Sequence, residues 1–314
     1  MYGVVCLGEA LIDFIPLDSE NLTYQKAPGG APANVAVGVA KLGGKSVFHG
    51  KIGNDVLGHF LVDTLNRYSV QTTSMLFTEE AKTGVTFVTL DPSGDRNFSF
   101  YINPSADRFL EEKELDYKLF ETNKILHIGS ISMISEPSRS ATLKAIELAK
   151  EKGMLISYDP NLRLDLWSSS EMAKEAIIST IPSADILKIS EEELEFLTGS
   201  NDLEEGIAQL PNLPLIIVTL GEKGSIYRFN NHTVKVPAIK SKVVDTTGAG
   251  DAFVSGILYL INESAKALKD FTDKEMKEVI QFGSISGGLA TTKKGAMTGL
   301  PSLQEIRVHL KDFK

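Results

Sequence analysis

Short apolar runs that alternate with amphipathic segments constrain the fold of this 314-residue chain most strongly. Five apolar runs bounded by Gly, Pro or Asp predict buried parallel strands at residues 4–7, 125–128, 154–158, 186–189 and 215–220. Amphipathic stretches predict helices at residues 55–68, 137–152, 172–181 and 191–197. The alternation predicts an α/β fold, a doubly wound parallel sheet with helices on both faces.

Two segments depart from this alternation. Residues 12–27 and 83–101 predict strands, because polar and apolar residues alternate along 83–90, and Asp91-Pro-Ser-Gly94 predicts a turn. A hairpin with a further strand predicts a small β-sheet that projects from the main body. Since no linker or repeat interrupts the sequence, we expect one domain over residues 1–314, with the small sheet built from about 12–28 and 83–104.

Composition and charge narrow the partners. The hydrophobic content of 42% and the charged content of 23% are typical of a globular protein with a sizeable core. The formal net charge is −9 and no Lys/Arg-rich run occurs, which argues against nucleic acid or a membrane surface as a partner. No apolar run reaches the length of a membrane span. The single cysteine, Cys6, and the absence of a secretory signal favour a cytoplasmic location.

The run Asp245-Thr-Thr-Gly-Ala-Gly-Asp251 precedes an apolar stretch and predicts the start of a helix. Its small residues leave backbone N–H groups open to an anion, and the helix dipole adds partial positive charge there. Asp251 places a potential proton acceptor beside this anion hole, which suits phosphoryl transfer to a hydroxyl. The alternative is an ordinary Asp at a helix start.

This run resembles the carboxy-terminal signature of the ribokinase-like (PfkB) carbohydrate kinases, and Gly29-Gly-Ala-Pro-Ala-Asn34 resembles their amino-terminal signature. The resemblance extends over essentially the whole chain. It implies an ATP-dependent sugar kinase in which the small sheet is a lid over the sugar. Asp251 is then the catalytic base, and Gly248, Ala249 and Gly250 form the anion hole.

Asp13 follows the first predicted strand, at the sheet edge where open α/β folds bind ligands. A carboxylate accepts hydrogen bonds from two hydroxyls at once, although a solvated loop Asp is the alternative. The resemblance implies that Asp13, Gly30 and Asn34 bind the sugar together with Asp251. It also implies a sugar contact from Asn103, in the segment Asn103-Pro-Ser-Ala-Asp107.

Three further segments concern the nucleotide. Asp159-Pro-Asn-Leu-Arg163 matches a family motif, which implies that Arg163 stabilises charge on the transferring phosphate. Lys188-Ile-Ser-Glu-Glu-Glu193 has Ser190 where the family has Asn, while Glu193 is retained and is expected to organise Mg²⁺ through water. An N-cap serine with acidic residues in the first turn is an alternative interpretation, compatible with the first. The implied ATP-binding positions are Lys188, Ser190, Glu193, Thr219, Gly221, Gly224, Gly248, Gly250 and Ser284.

Two loops resemble those that hold a monovalent cation in several relatives, so we expect K⁺ there. The matching positions are Asp245, Thr247, Ala290, Lys293, Gly295 and Gly299. Ribokinase proper has Ser at the last position, so a contribution from Gly299 must come from its backbone.

The segments around Asp13, Asn34 and Asn103 resemble fructokinases within the family. We therefore expect phosphorylation of fructose, with ribose and 2-keto-3-deoxygluconate as alternative substrates and a non-catalytic sugar-binding regulator as a further alternative. A nicotinamide dehydrogenase is disfavoured, because no G-x-G-x-x-G follows the first predicted strand. An exposed lid sheet could pair with a second copy to form a homodimer.

Overall fold

A computed structural model describes residues 1–91 and 96–310 of the chain. Its strands are β1 (Val4–Leu7), β2 (Leu11–Pro16), β3 (Tyr24–Gly29), β4 (Ser46–Gly53), β5 (Met75–Thr78), β6 (Gly84–Leu90), β7 (Arg96–Phe100), β8 (Ile125–Ile128), β9 (Leu155–Tyr158), β10 (Ile186–Ser190), β11 (Leu215–Thr219), β12 (Ser225–Phe229) and β13 (His232–Val236). The α-helices are α1 (Ala31–Lys41), α2 (Val56–Arg67), α3 (Tyr117–Thr122), α4 (Ser138–Glu151), α5 (Ser170–Thr180), α6 (Glu191–Thr198), α7 (Leu203–Gln209), α8 (Ala249–Glu263), α9 (Asp273–Ala290), α10 (Ala296–Gly299) and α11 (Leu303–His309).

The large sheet has the strand order β13-β12-β11-β10-β9-β8-β1-β4-β5. The strands from β11 through β10, β9, β8, β1 and β4 to β5 are parallel. Strands β12 and β13 continue the sheet in antiparallel pairing. The predicted α/β fold with a mainly parallel sheet is confirmed. The antiparallel edge was not predicted.

Successive side chains of a buried strand point to opposite faces of the sheet, and helices cover both faces. In β1, Val4 and Cys6 pack with α1, α8 and α9, whereas Val5 and Leu7 pack with α4 to α7 on the opposite face. All four side chains are fully buried, because β1 lies between two helical layers, and this explains why the strand is apolar throughout. This arrangement places the carboxyl ends of β1, β9 and β10 along one edge of the sheet.

The small sheet, called the lid below, has the order β3-β2-β6-β7. The segment predicted as strand over residues 12–27 is a hairpin, because Asp18 accepts backbone hydrogen bonds from Glu20, Leu22 and Thr23 and closes a turn. Strand β2 pairs in parallel with β6, which pairs antiparallel with β7. Most of the predicted turn at 91–94 lies outside the described residues.

The helices within residues 1–91 and 96–310 include none with the length and apolar character needed to cross a membrane.

Candidate active site

A cavity of about 350 Å³ lies between the carboxyl edge of the large sheet and the lid. Nine residues predicted from the sequence meet in its wall: Asp13, Gly30, Asn34, Arg163, Lys188, Thr247, Gly248, Gly250 and Asp251. The segments that follow β1 and β9, strand β10, the lid, α1 and α8 all contribute to this wall. Segments far apart in the sequence therefore form one site.

Helix α8 begins at the predicted anion hole. Gly248 is its N-cap and has φ 78°, and a Cβ atom there would lie 2.9 Å from the Cα of Ala296, so that glycine is required. The Ala249 amide donates to the Thr246 carbonyl at 3.2 Å. Among the hydrogen bonds of the described residues, the amides of Gly250 and Asp251 have no acceptor. They remain able to donate to a phosphate.

Asp251 lies in the first turn of α8 and is held by a neighbouring helix. The Nδ2 atom of Asn34 donates to Oδ2 of Asp251 at 2.8 Å. Removal from bulk water raises the pKa of Asp251 to about 6, although the hydrogen bond from Asn34 opposes this shift. A carboxylate with such a pKa is ionised at neutral pH and accepts a proton more readily than an ordinary Asp.

A buried ion pair lies directly beneath the anion hole. Lys188 Nζ is 3.0 Å from Oδ2 of Asp159, and both residues are at most 9% exposed. Burial lowers the pKa of Lys188, but the carboxylates of Asp159 and Glu193 more than offset this effect, so the ammonium stays charged. The same Nζ lies 3.2 Å from the position of a Cβ on Gly250. A fixed positive charge thus adjoins the open amides.

Arg163 reaches the cavity from the loop after β9. Its Nη1 atom donates to the Leu162 carbonyl at 3.0 Å, which anchors the guanidinium to its own loop. Burial raises the pKa values of Asp13 and Asp251, and the positive charge of Arg163 partly offsets this rise in both groups. The guanidinium therefore interacts electrostatically with both carboxyl groups.

Carboxyl groups gather on the lid side of the cavity. Burial raises the pKa of Asp13 to about 7 and that of Glu9 to about 8. Asp13 has room because Gly29 lacks a side chain, and a Cβ there would collide with Oδ2 of Asp13. Perturbed carboxyl groups in a cleft are typical of a functional site.

The predicted nucleotide positions on β10 and β11 line a neighbouring stretch of the same sheet edge. Ser190 is the N-cap of α6 in a capping box, in which Ser190 Oγ accepts from the Glu193 amide and Oε2 of Glu193 accepts from the Ser190 amide at 2.8 Å. The other oxygen of Glu193 accepts from the Leu162 amide at 2.7 Å. The capping interpretation therefore holds, and it fixes Glu193 between two loops of the site.

The remaining predicted positions lie outside the cavity wall. Thr219 ends β11, while Gly221 and Gly224 have φ values of 56° and 98° in the following turn. Ser284 is buried on α9, and its Oγ has no hydrogen-bond partner among the described residues. Asn103 is exposed in the loop after β7 and does not line the cavity, so the structure does not bring it to the predicted sugar site.

The two predicted cation loops meet behind the anion hole. Asp245 accepts hydrogen bonds from the amides of Thr247 at 2.8 Å and Gly295 at 2.9 Å. The carbonyl oxygens of Ala290 and Lys293 lie 3.0 and 3.5 Å from the position of a Cβ on Gly299. A side chain there would fill this group of carbonyls, and carbonyl oxygens are ligands that suit a hard cation. Within the described ranges, no cluster of His, Cys, Asp or Glu forms an alternative metal site.

Sequence reasoning missed several residues of the cavity wall: Glu9, Leu11, Thr86, Phe98, Phe100, Ile131, Asn161 and Thr246. It also missed Asp159 as the partner of Lys188. The period-2 alternation of β7 could have placed Phe98 and Phe100 on one face. Glu9 could have been found by the argument used for Asp13, since it also follows β1 at the ligand-binding edge.

Comparisons with known proteins identify the family. A family model described as pfkB family carbohydrate kinase matches residues 1–303. Fructokinase-2 of Solanum lycopersicum is 48% identical over 316 residues, which cover 98% of this chain and 96% of that protein.

Solved structures agree with this result. A fructokinase double mutant of Vibrio cholerae O395, bound to fructose, ADP and a potassium ion, has a TM-score of 0.91 and 39% identity, with 98% of both chains covered. The aminoimidazole riboside kinase of Salmonella enterica, complexed with aminoimidazole riboside and an ATP analogue, has a TM-score of 0.87 and 31% identity. The match covers 98% of this chain and 99% of the Salmonella enterica chain.

Proposed function

The chain belongs to the pfkB family of carbohydrate kinases, and we propose that it transfers the γ-phosphate of ATP to the terminal hydroxyl of fructose. One observation carries this proposal: the Asp251 carboxylate, held by Asn34 at 2.8 Å, adjoins open amides at the start of α8 in a cavity under the lid. The fructokinase identity of relatives at 48% and 39% identity supports fructose as the sugar.

The chemistry follows from the placement of these groups. Asp251 takes the proton of the sugar hydroxyl while that oxygen bonds to the γ-phosphorus, and the bond from this phosphorus to the bridging oxygen of ADP breaks. The amides of Gly250 and Asp251, with Lys188 and Arg163, stabilise the negative charge of the transferring group. Asp13 and the carbonyl oxygen of Asn34 accept hydrogen bonds from other sugar hydroxyls. That Asn34 oxygen is buried and has no partner among the described residues, as expected for a sugar acceptor.

Two cations complete the proposal. Glu193 would hold waters of a Mg²⁺ ion that neutralises the triphosphate, since each of its oxygens accepts one amide and retains a lone pair. The loops around Asp245 and Gly299 would hold K⁺ through carbonyl oxygens. The potassium ion bound in the Vibrio cholerae fructokinase structure supports K⁺ as the cation.

The sugar assignment is tested by measuring ADP release with ATP, Mg²⁺ and a panel of sugars. Fructose should give a higher kcat/KM than ribose, glucose, 2-keto-3-deoxygluconate or aminoimidazole riboside. A higher value for another sugar would reject fructose and leave phosphotransfer intact. No sugar-dependent ADP release at all would favour the alternative of a sugar-binding regulator.

The domain organisation, assembly and location are proposed from separate observations. One domain with a lid accounts for the two sheets. An aromatic cluster of Phe14, Tyr24, Phe87 and Tyr101 lies on the lid, where Tyr101 is 71% exposed, and we propose that a second copy covers it. Light scattering should then report a dimer, and Tyr101→Ser should shift it toward monomer. The single buried cysteine supports a cytoplasmic location.

A further inference from the structure

We propose that Glu9 is a positioning residue for phosphoryl transfer, which fixes the start of α1 and, through Asn34, the carboxylate of Asp251. The inference rests on the proposed kinase function. It concerns a residue that lines the cavity wall but has no role in the reaction described above.

Glu9 caps a helix that is remote from it in the sequence. It follows β1, is 3% exposed, and its Oε1 atom accepts a hydrogen bond from the Ala31 amide at 3.0 Å, 22 residues further along the chain. The N-cap of α1 is Gly30, which has φ 100° and no side chain that could accept this hydrogen bond. The carboxyl group of Glu9 supplies the missing acceptor.

The contacts continue from Glu9 to the catalytic base. A Cβ on Gly30 would lie 2.5 Å from the Glu9 carbonyl oxygen, so the start of α1 packs directly on the chain after β1. In the first turn of α1, the Asn34 amide donates to the Gly30 carbonyl at 2.8 Å, and the Asn34 side chain donates to Asp251 at 2.8 Å. A displacement of Ala31 would therefore move Asn34 and release Asp251.

Enclosure of the Glu9 carboxyl group favours its protonated form. Oε2 is buried and has no hydrogen-bond partner among the described residues. Burial raises the pKa of Glu9 to about 8, and the carboxyl groups of Asp107 and Asp251 add to this rise. The backbone amides of Glu9 itself and of Ala31 oppose it. Asp13, Arg163 and Lys188 are the other charged groups of the same cavity wall. Glu9 is therefore a neutral acid at pH 7.

Ionisation of Glu9 should impair the enzyme. It would place another negative charge beside Asp13, Asp251 and the incoming triphosphate, in a wall that offers Oε2 no donor. Activity should then fall as the pH rises through about 8, while Glu9 still accepts from Ala31. The isosteric Glu9→Gln retains an acceptor oxygen for Ala31 and cannot ionise.

The experiment compares wild type, Glu9→Gln and Glu9→Ala, with Glu204→Gln as a control on the exposed face of α7. We would measure kcat, KM for fructose and ATP between pH 6 and pH 9.5, and thermal unfolding. Loss of the acceptor in Glu9→Ala should lower kcat by about 10- to 100-fold, because small misplacements of catalytic groups cost that much. KM for ATP should change little. Glu9→Gln should match wild type at pH 7 and lose less activity above pH 8.

Either of two results would overturn the inference: wild-type kcat in folded Glu9→Ala, or an identical alkaline decline in Glu9→Gln and wild type. If Glu9→Ala does not fold, the Glu9→Gln pH profile still decides. Failure of the proposed function is seen separately, as an absence of fructose-dependent ADP release in wild type. The same variants are then compared with the sugar that wild type does phosphorylate.

Discussion

The two sides of the cavity differ in the groups that they present to a ligand. The lid side is the part of the cavity wall that carries the carboxyl groups of Glu9, Asp13 and Asp251. Burial raises the pKa values of all three groups. On the nucleotide side, glycines with positive φ, such as Gly248 and Gly224, present the backbone, and Asp245 is bonded by two amides. The lid side thus depends on carboxyl groups that titrate near neutral pH, whereas the nucleotide side depends on backbone groups and on the buried Lys188 ammonium, which stays charged.

This difference corresponds to two different requirements, proton transfer and phosphate binding. A proton acceptor must have a pKa near the working pH, and enclosure provides that at a cost in stability. A phosphate needs only fixed donors, which backbone amides supply at any pH. Substitutions on the lid side should therefore change rate and pH dependence, while those on the nucleotide side should act through backbone geometry.

The largest effect should come from Asp251→Asn. Asn is similar in size and can still occupy the first turn of α8, but it cannot take the proton of the sugar hydroxyl. Loss of a general base costs roughly 10²–10⁴-fold in rate, so kcat should fall by that order. ATP affinity should change little, because removing a negative charge cannot weaken triphosphate binding by repulsion.

The control for this variant is Asp63→Asn, at an exposed position of α2, which should behave as wild type. Thermal unfolding near pH 7.5 should show Asp251→Asn to be at least as stable as wild type, because an enclosed charge is removed. If the variant kept more than about a tenth of wild-type kcat, the role of Asp251 as general base would be untenable.

Gly248→Ala should have the next largest effect, and it probes the nucleotide side. The new Cβ would meet the Cα of Ala296 at 2.9 Å, in a backbone conformation with φ 78° that alanine rarely adopts. Strain of this kind costs about 1–3 kcal/mol of folding free energy. A displaced α8 terminus should also lower kcat by about tenfold or more.

Gly199→Ala is a matched control for Gly248→Ala. Gly199 has φ 77° but nothing within 4 Å of its Cβ position, and it ends α6 away from the cavity. Both variants should lose stability in chemical denaturation, and only Gly248→Ala should lose activity. Equal kinetic losses in the two would show that the anion-hole geometry does not depend on Gly248.

The sequence predicted some strands of the large sheet correctly and missed others. Strands β1 and β8 were predicted with their observed bounds, because each is an apolar run ended by glycine. Strand β4 was missed although it is buried, since it carries Lys51, whose ammonium is satisfied by Glu114 and the Phe109 carbonyl at 2.8 Å. Only the folded chain shows that pair.

The same limit applies to the site. The anion hole depends on neighbouring residues in one short run, so Gly248 and Asp251 could be recognised from the sequence. The role of Glu9 depends on the Ala31 amide, and that of Asp159 on Lys188, 29 residues away. Such partners are brought together by the sheet, and a local pattern gives no sign of them.

A smaller effect should appear in the acid range of the pH profile. Asp251 and Asp13 have raised pKa values of about 6 and 7. Because the proposed function requires both as carboxylates, kcat/KM for fructose should rise between pH 5 and pH 7.5. Their contribution to stability has the opposite sign. It is complete below the unfolded pKa near 4 and is lost as the pH rises through 6 to 7.

Parallel kinetic and thermal-unfolding series over this range would test both statements. Asp13→Asn should remove part of the stability loss and raise the melting temperature near pH 7.5, while weakening fructose binding. A flat kcat/KM between pH 5 and pH 7.5 would contradict the assignment of ionised carboxylates to the sugar side.

The smallest effect should be that of potassium, which acts on the nucleotide side from behind the anion hole. Asp245 joins the loop before α8 to Gly295, and the carbonyls of Ala290 and Lys293 converge at Gly299. An ion held there would fix Gly248 without contacting the substrate, as outer groups orient the ligands of a site. At matched ionic strength, KCl should therefore give several-fold higher kcat than tetramethylammonium chloride. Gly299→Ala would fill the carbonyl cradle and should raise the KCl concentration needed for half-activation. Equal rates in the two salts would remove the cation from the mechanism, and the geometry of the anion hole would then depend on the protein alone.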